Sequence, residues 1–211
     1  MNEPIGAAAG VLAVLVALVA VYSVRRRRRE RLRLERWARA NGWTLTWNPA
    51  VDWGRMMPGG DPRGVTHGFS ARMHGRPVTV AEYSATGAES DPTYFVIVAT
   101  TLSRPLPSIE VSPRGLLSRG WRRLAGPGEV ATGNPDFDDA FRIRSEAPAE
   151  ALRWLPPPVM AAQLHRQVPE WWSVRGTELL THHPGRLRPD EVPREAQPLV
   201  VLADLFEGSP R

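Results

Sequence analysis

Five histidines, His67, His74, His165, His182 and His183, and the acids Asp136, Asp138 and Asp139 are the side chains of this 211-residue chain best suited to hold a metal or move a proton. A helical metalloprotease site needs two His four residues apart, and no pair here has that spacing. His182 and His183 are adjacent, and on a strand adjacent side chains point to opposite faces. Asn134, Asp136 and Asp138 alternate as at the start of a calcium loop, but that loop needs Gly at its sixth position and Glu at its twelfth. Asp139 and Ser145 stand there instead. A helix start explains the same residues better. Asn134 serves as N-cap, Pro135 sits in the first turn, the acids suit the positive end of the helix dipole, and Phe137 and Phe141 pack inward four apart. Asp52 or Asp61 could meet Glu82 in space beneath a long loop. There is no Gly-x-Ser-x-Gly elbow, dinucleotide fingerprint or Walker sequence. No catalytic residue, metal ligand or cofactor is assigned.

Composition narrows the classes further. The chain has no Cys, which excludes disulfides, thiol nucleophiles and Cys-ligated metal centres. It also has no Lys, because all twenty-seven basic residues are Arg, and this removes P-loop and Schiff-base chemistry. The net charge of +5 is unevenly spread. Residues 25–39 carry nine Arg against Glu30 and Glu35, whereas residues 40–211 carry eighteen Arg against nineteen acids. The basic character therefore belongs to one short segment, and a nearly neutral remainder argues against nucleic-acid binding.

The segment that must position everything else is at the N-terminus. Ile5 to Val24 is twenty residues without a charge, followed at once by Arg25–Arg29. At about 1.5 Å per residue such a run matches the roughly 30 Å hydrocarbon core of a bilayer. The Arg block follows the apolar run, and residues 1–4 carry no basic side chain. This order opposes a secretory signal and predicts a single-pass anchor with the N-terminus outside and the bulk of the chain cytoplasmic. Arg25, Arg26, Arg27, Arg28 and Arg29 are then placed to meet anionic lipid headgroups. Gly6, Gly10, Ala13 and Ala17 fall on one helical face, a spacing that permits self-association through the span.

Three regions follow from this patterning: residues 1–24 as short exterior terminus and transmembrane helix, 25–42 as an Arg-rich juxtamembrane helix ended by Asn41-Gly42, and 43–211 as a cytoplasmic domain. Alternation predicts a strand at Trp43–Trp47, followed by a Pro- and Gly-rich loop over residues 48–64; three antiparallel strands are then expected at Val65–Met73, Pro77–Ala85 and Thr93–Leu102, the last the most apolar and therefore central. Pro105 and Pro107 should end the fourth strand, leaving Ser108–Val111 as a short edge strand. Ser112-Pro113 should open a helix over Arg114–Leu124, and a further short strand is expected near Glu129–Thr132. Two short helices should flank Pro156-Pro157-Pro158, and a hairpin should turn at Arg175-Gly176. A last helix, Pro189–Phe206, contains Pro198 and should kink there. Trp171 and Trp172, facing opposite ways, are candidate partner contacts, although cover by the last helix explains one of them equally well. The pattern is α+β, with a mainly antiparallel sheet covered by short helices.

The segment Trp37-Ala38-Arg39-Ala40-Asn41-Gly42-Trp43 after a span and an Arg-rich flank resembles the start of uncharacterised single-pass actinobacterial membrane proteins that contain a domain of unknown function. Leu106–Val111, Asn134–Arg144 and Ala149–Gln163 are similar too, with three prolines at 156–158 where one is usual in that pattern. The resemblance implies a membrane location and no particular activity. The reading is a membrane-anchored cytoplasmic binding or scaffolding domain with an unknown protein partner. The alternative is a tethered enzyme or small-ligand domain with its site under the 48–64 loop.

Overall fold

The computed structural model describes residues 3–57, 60–85, 92–114 and 129–208, with side chains from residue 17 onward. The chain divides into two compact units, Met1–Gly42 and Trp43–Arg211. The first is a single helix, α1 (Glu3–Ala40). Neither Pro nor Gly interrupts it after Gly10, so nothing local breaks the hydrogen-bond ladder before its end. There the Asn41 side-chain amide donates to the Trp37 carbonyl at 2.8 Å, and Gly42 turns left-handed at φ 74°. Among the described residues no helix is long and apolar enough to cross a membrane. The expected span, 5–24, lies partly outside the described side chains, and Gly6, Gly10 and Ala13 lie wholly outside them.

The second unit is an α+β domain built on one mainly antiparallel sheet. Its strands are β1 (Thr44–Trp47), β2 (Val65–Met73), β3 (Arg76–Ala85), β4 (Thr93–Pro113), β5 (Glu129–Val130), β6 (Phe141–Ser145) and β7 (Trp172–Pro184). They are ordered β1-β2-β3-β4-β6-β5, with β7 also paired to β4. The 21-residue β4 is the axis of the sheet. One edge meets β3 over Thr93–Thr100 and then β6 over Ile109–Pro113, while β7 follows the other edge.

Two sequence expectations are corrected here. Pro105 and Pro107 do not end β4, and Ser108–Val111 is a central segment, with β6 on one side and β7 on the other. The prolines survive because the β4–β7 register slips between Thr101 and Leu106 and again between Leu106 and Ile109. In bulged stretches a missing N–H breaks no ladder bond. The hairpin at Arg175-Gly176 is also absent, since Trp172–Pro184 is one strand. It is a bent one: the Thr181 hydroxyl donates to the Trp171 carbonyl at 2.6 Å, although ten extended residues would separate those groups by about 33 Å. Gly176, at φ 58° and opposite Leu106, takes the left-handed conformation at the slip. The expected helix over Arg114–Leu124 falls on residues outside the described set, apart from Arg114, which is a turn.

The helices behave as their caps dictate. Asn134 accepts from the Phe137 amide and opens α2 (Pro135–Ala140), and the rings of Phe137 and Phe141 lie 5.0 Å apart. Pro156 stands between α3 (Pro148–Arg153) and α4 (Pro157–Leu164) as the N-cap of the second, and Pro157 and Pro158 open its first turn. α5 (Val192–Gly208) runs through Pro198 and buries Ala196, Leu199, Val200, Leu202, Ala203 and Phe206, the stripe expected of a helix laid on a sheet. Against this face Trp172 is fully buried, its indole N–H donating to Gln163 at 2.8 Å and its ring 5.5 Å from Phe206.

Candidate functional site

The opposite face of the sheet is covered by the loop after β1. A 3-10 turn, Asp52–Met56, carries Trp53 down onto the strands, where its indole N–H donates to the Glu178 carboxylate at 2.5 Å. Beneath it lie Met57, Val65, Ala81, Tyr83, Phe95, Ile97, Ala99 and Leu180, with Trp171 packed at the margin. Two glycines set how closely the loop descends. A Cβ on Gly54 would stand 2.1 Å from the Asp61 carbonyl oxygen, and one on Gly64 would stand 2.2 Å from the Tyr83 ring. The Asp61 amide donates to the Tyr83 hydroxyl at 3.2 Å. Burial raises the pKa of that hydroxyl and the bond from Asp61 lowers it; burial prevails.

His182 belongs to this face. Its ring lies 3.8 Å from Trp171 and 6.2 Å from Phe95. Burial, and then the neighbouring charge of His183, lower its pKa to about 3, so the imidazole is neutral at physiological pH. His183 points the other way, to Glu195 on α5 at 2.8 Å. The Trp171 indole N–H reaches Glu110 at 3.4 Å.

A second polar cluster ties α5 to the sheet. Arg76 donates to Asp204 at 2.6 Å and to Glu207 at 2.9 Å, His74 meets Asp204 at 2.8 Å, and Glu207 accepts the Ser103 amide at 2.9 Å. Burial alone would lower the Arg76 pKa, but its bonds to Glu207 and Asp204 raise it above the ordinary value. In turn Arg76 holds the Glu207 carboxyl below its usual range.

The residues singled out in the sequence fall as follows. Asp52 pairs with Arg55 at 3.5 Å, and Asp61 accepts the Arg63 amide at 2.8 Å. Glu82 accepts the Leu187 amide at 3.0 Å, and by strand alternation it faces away from Tyr83 and the loop. The structure therefore does not bring these three carboxylates together. Asp138 accepts from Thr132 and Gly133 and closes its own turn. Burial works against its charged form, yet those bonds hold its carboxyl below the ordinary range. Among the described residues no group of three or more His, Asp or Glu is arranged to hold a metal. Trp172, named above with Trp171 as a candidate partner contact, has no surface to offer one; Trp171 is half-buried. Arg25–Arg29 are all exposed on α1, as is Ala17. The Trp53–Glu178 pair joins positions 125 apart, and no local pattern could have announced it.

No protein-family model matches this chain, and no curated protein matches it. Among solved structures it is similar to the crystal structure of the mycobacterial trehalose monomycolate transport factor A, TtfA, at 14% identity and a TM-score of 0.53. The match covers 84% of this chain and 94% of that one. At that identity the likeness is one of fold.

Proposed function

We propose that this chain is a single-pass membrane protein whose cytoplasmic α+β domain binds or scaffolds a protein partner, with Arg25–Arg29 at the inner headgroups. We place it with the single-pass actinobacterial membrane proteins that its sequence resembles. The observation that carries this reading is the surface of α1. Leu18, Val19, Val21, Tyr22 and Val24 are 50–66% exposed. At about 100° per residue they reach around the circumference, with the exposed Ala20 inside the widest gap between them. An apolar stripe on one side would suit docking to a protein, whereas a helix apolar all round suits lipid. Five consecutive Arg directly behind set the orientation.

The likeness in fold to a factor named for trehalose monomycolate transport supports a narrower version. In it, the bound partner belongs to a membrane transport assembly and the domain holds it at the bilayer.

Alkaline extraction of membranes, a C-terminal reporter active only outside the cell, and affinity capture from membranes together test the reading. Retention of the chain by the membrane, a silent reporter and capture of the same protein partners by the intact chain and by a version starting at Trp43 are expected. A reporter active outside the cell would overturn the topology. Loss of every partner from the shortened version would overturn the binding role of the domain.

A further inference from the structure

We infer that α1 leaves the bilayer upright, as a stalk whose first turns are ringed by anionic phospholipid headgroups while its outer arginines stand beyond their reach; this rests on the membrane reading above. The helix is unbroken from Glu3 to Ala40, so position along it converts directly into height. Taking Arg25 as the level of the headgroups, Arg29 stands about 6 Å out, Arg33 about 12 Å, Arg36 about 17 Å and Arg39 about 21 Å.

The angular distribution excludes a helix lying flat. An interfacial helix needs a continuous apolar face to sink between the headgroups. At about 100° per residue, Arg25, Arg26, Arg27 and Arg28 already occupy all four quadrants, and every residue from Val24 to Arg33 is exposed. Leu32 is the only apolar side chain between Arg25 and Arg33. Laid flat, the helix would press guanidinium groups into hydrocarbon whichever way it rolled. Upright, it offers every one of them to a lipid in the surrounding annulus.

Distance then separates two groups of arginines. Electrostatic reach at physiological salt is about 8 Å, which includes Arg25–Arg29, ends just short of Arg31 at about 9 Å, and leaves out Arg33, Arg36 and Arg39. Two of the outer three also have partners within the helix: Arg36 donates to the Leu32 carbonyl at 3.1 Å, and Arg39 lies 4.0 Å from Glu35. The side chains of Arg25–Arg29 make no hydrogen bond or ion pair among the described residues.

The test uses the intact chain in nanodiscs of phosphatidylcholine containing a minority of phosphatidylglycerol, with retained lipid counted by native mass spectrometry. Replacing Arg25–Arg29 by Gln should reduce the enrichment of phosphatidylglycerol about fivefold or more, whereas Gln at Arg33, Arg36 and Arg39 should change it by less than about twofold. Gln keeps high helix propensity, so both variants retain the rod. Equal losses in the two variants would overturn the inference. So would a wild-type chain that stays in the disc without enrichment, a result that leaves the membrane reading standing; a chain that leaves the disc sinks both. Displacement of the bound lipid by short duplex DNA at physiological salt would show a general polyanion site and would also overturn it. Because the chain has no Cys, a spin label on Leu32→Cys gives an independent readout. Relaxation by a water-soluble paramagnet is expected, and relaxation by membrane-dissolved oxygen instead would mean that the helix lies flat.

Discussion

The indole ring of Trp171 lies 3.8 Å from the imidazole of His182, although eleven positions separate them and all but the first belong to one strand. Extended, that stretch would span about 36 Å. The contact therefore registers how sharply β4 and β7 fold back together, and it closes one end of the core beneath the 48–64 loop.

Gly176 is where β7 makes that bend. It sits at φ 58°, and a Cβ there would meet nothing within 4 Å. Gly176→Ala should therefore cost only the conformational term, about 1–2 kcal/mol. Gly176→Asn should cost less, since Asn tolerates the left-handed region. Urea unfolding should show a lower midpoint with an unchanged slope.

His182 makes stability pH-dependent in a defined direction. Its ordinary value is 6.5 and its folded value about 3, so between them the unfolded chain binds a proton that the folded chain does not. Its contribution is fully present above pH 6.5 and is lost as pH falls toward 3, at about 1.4 kcal/mol per pH unit. Denaturant unfolding of the wild type and of His182→Phe from pH 6.5 to 4.5 should show the variant gaining about 2–3 kcal/mol relative to the wild type. Parallel pH profiles would refute this.

Arg76 is 9% exposed and bridges two carboxylates. Arg76→Met should leave Asp204 and Glu207 facing one another. Because both are partly solvated, the loss should be about 1–3 kcal/mol, less than for a fully buried pair. Glu207→Gln in that background should restore part of it, a coupling that a double-mutant cycle measures. Glu207, with its folded value depressed, stabilises above the ordinary carboxylate range, and that contribution fades as pH falls below 4.5.

Gly54 and Gly60 distinguish close packing from backbone conformation in the same loop. Gly60 is left-handed at φ 63° with open space around it, whereas Gly54 abuts the Asp61 backbone. Gly60→Ala should cost about 1 kcal/mol. Gly54→Ala should cost about 2–3 kcal/mol by lifting the loop and with it Trp53. In a Trp53→Phe background the Gly54 penalty should shrink, because the indole bond to Glu178 is already gone.

Asn134 decides between a cap and a calcium ligand. Asn134→Ala should lower stability by about 1 kcal/mol, read as a fall in Tm of a few degrees. Calcium should leave the wild-type Tm unchanged. A rise in Tm with calcium that Asn134→Ala abolishes would reinstate the ion-binding reading.

What the chain order alone established is what short-range physics controls. The Asn134–Pro135 helix start, the Asn41-Gly42 stop, the extents of β2 and β3 and the opposite orientations of His182 and His183 depend on residues within a few positions of one another. Each was therefore legible from spacing and residue type. Partners distant in sequence decided the rest. Pro105 and Pro107 read locally as strand breakers, and only the slipped pairing with β7 makes room for them. Arg175-Gly176 reads as a hairpin turn, and only pairing with β4 on both sides of the register slip makes it a bend. Trp53 and Glu178 carry no mutual signal until the sheet brings them together. Backbone preferences act over one or two turns of chain, but a ladder, a bulge or a buried indole takes its energy from whichever segment lies opposite, and only the folded chain determines which segment that is.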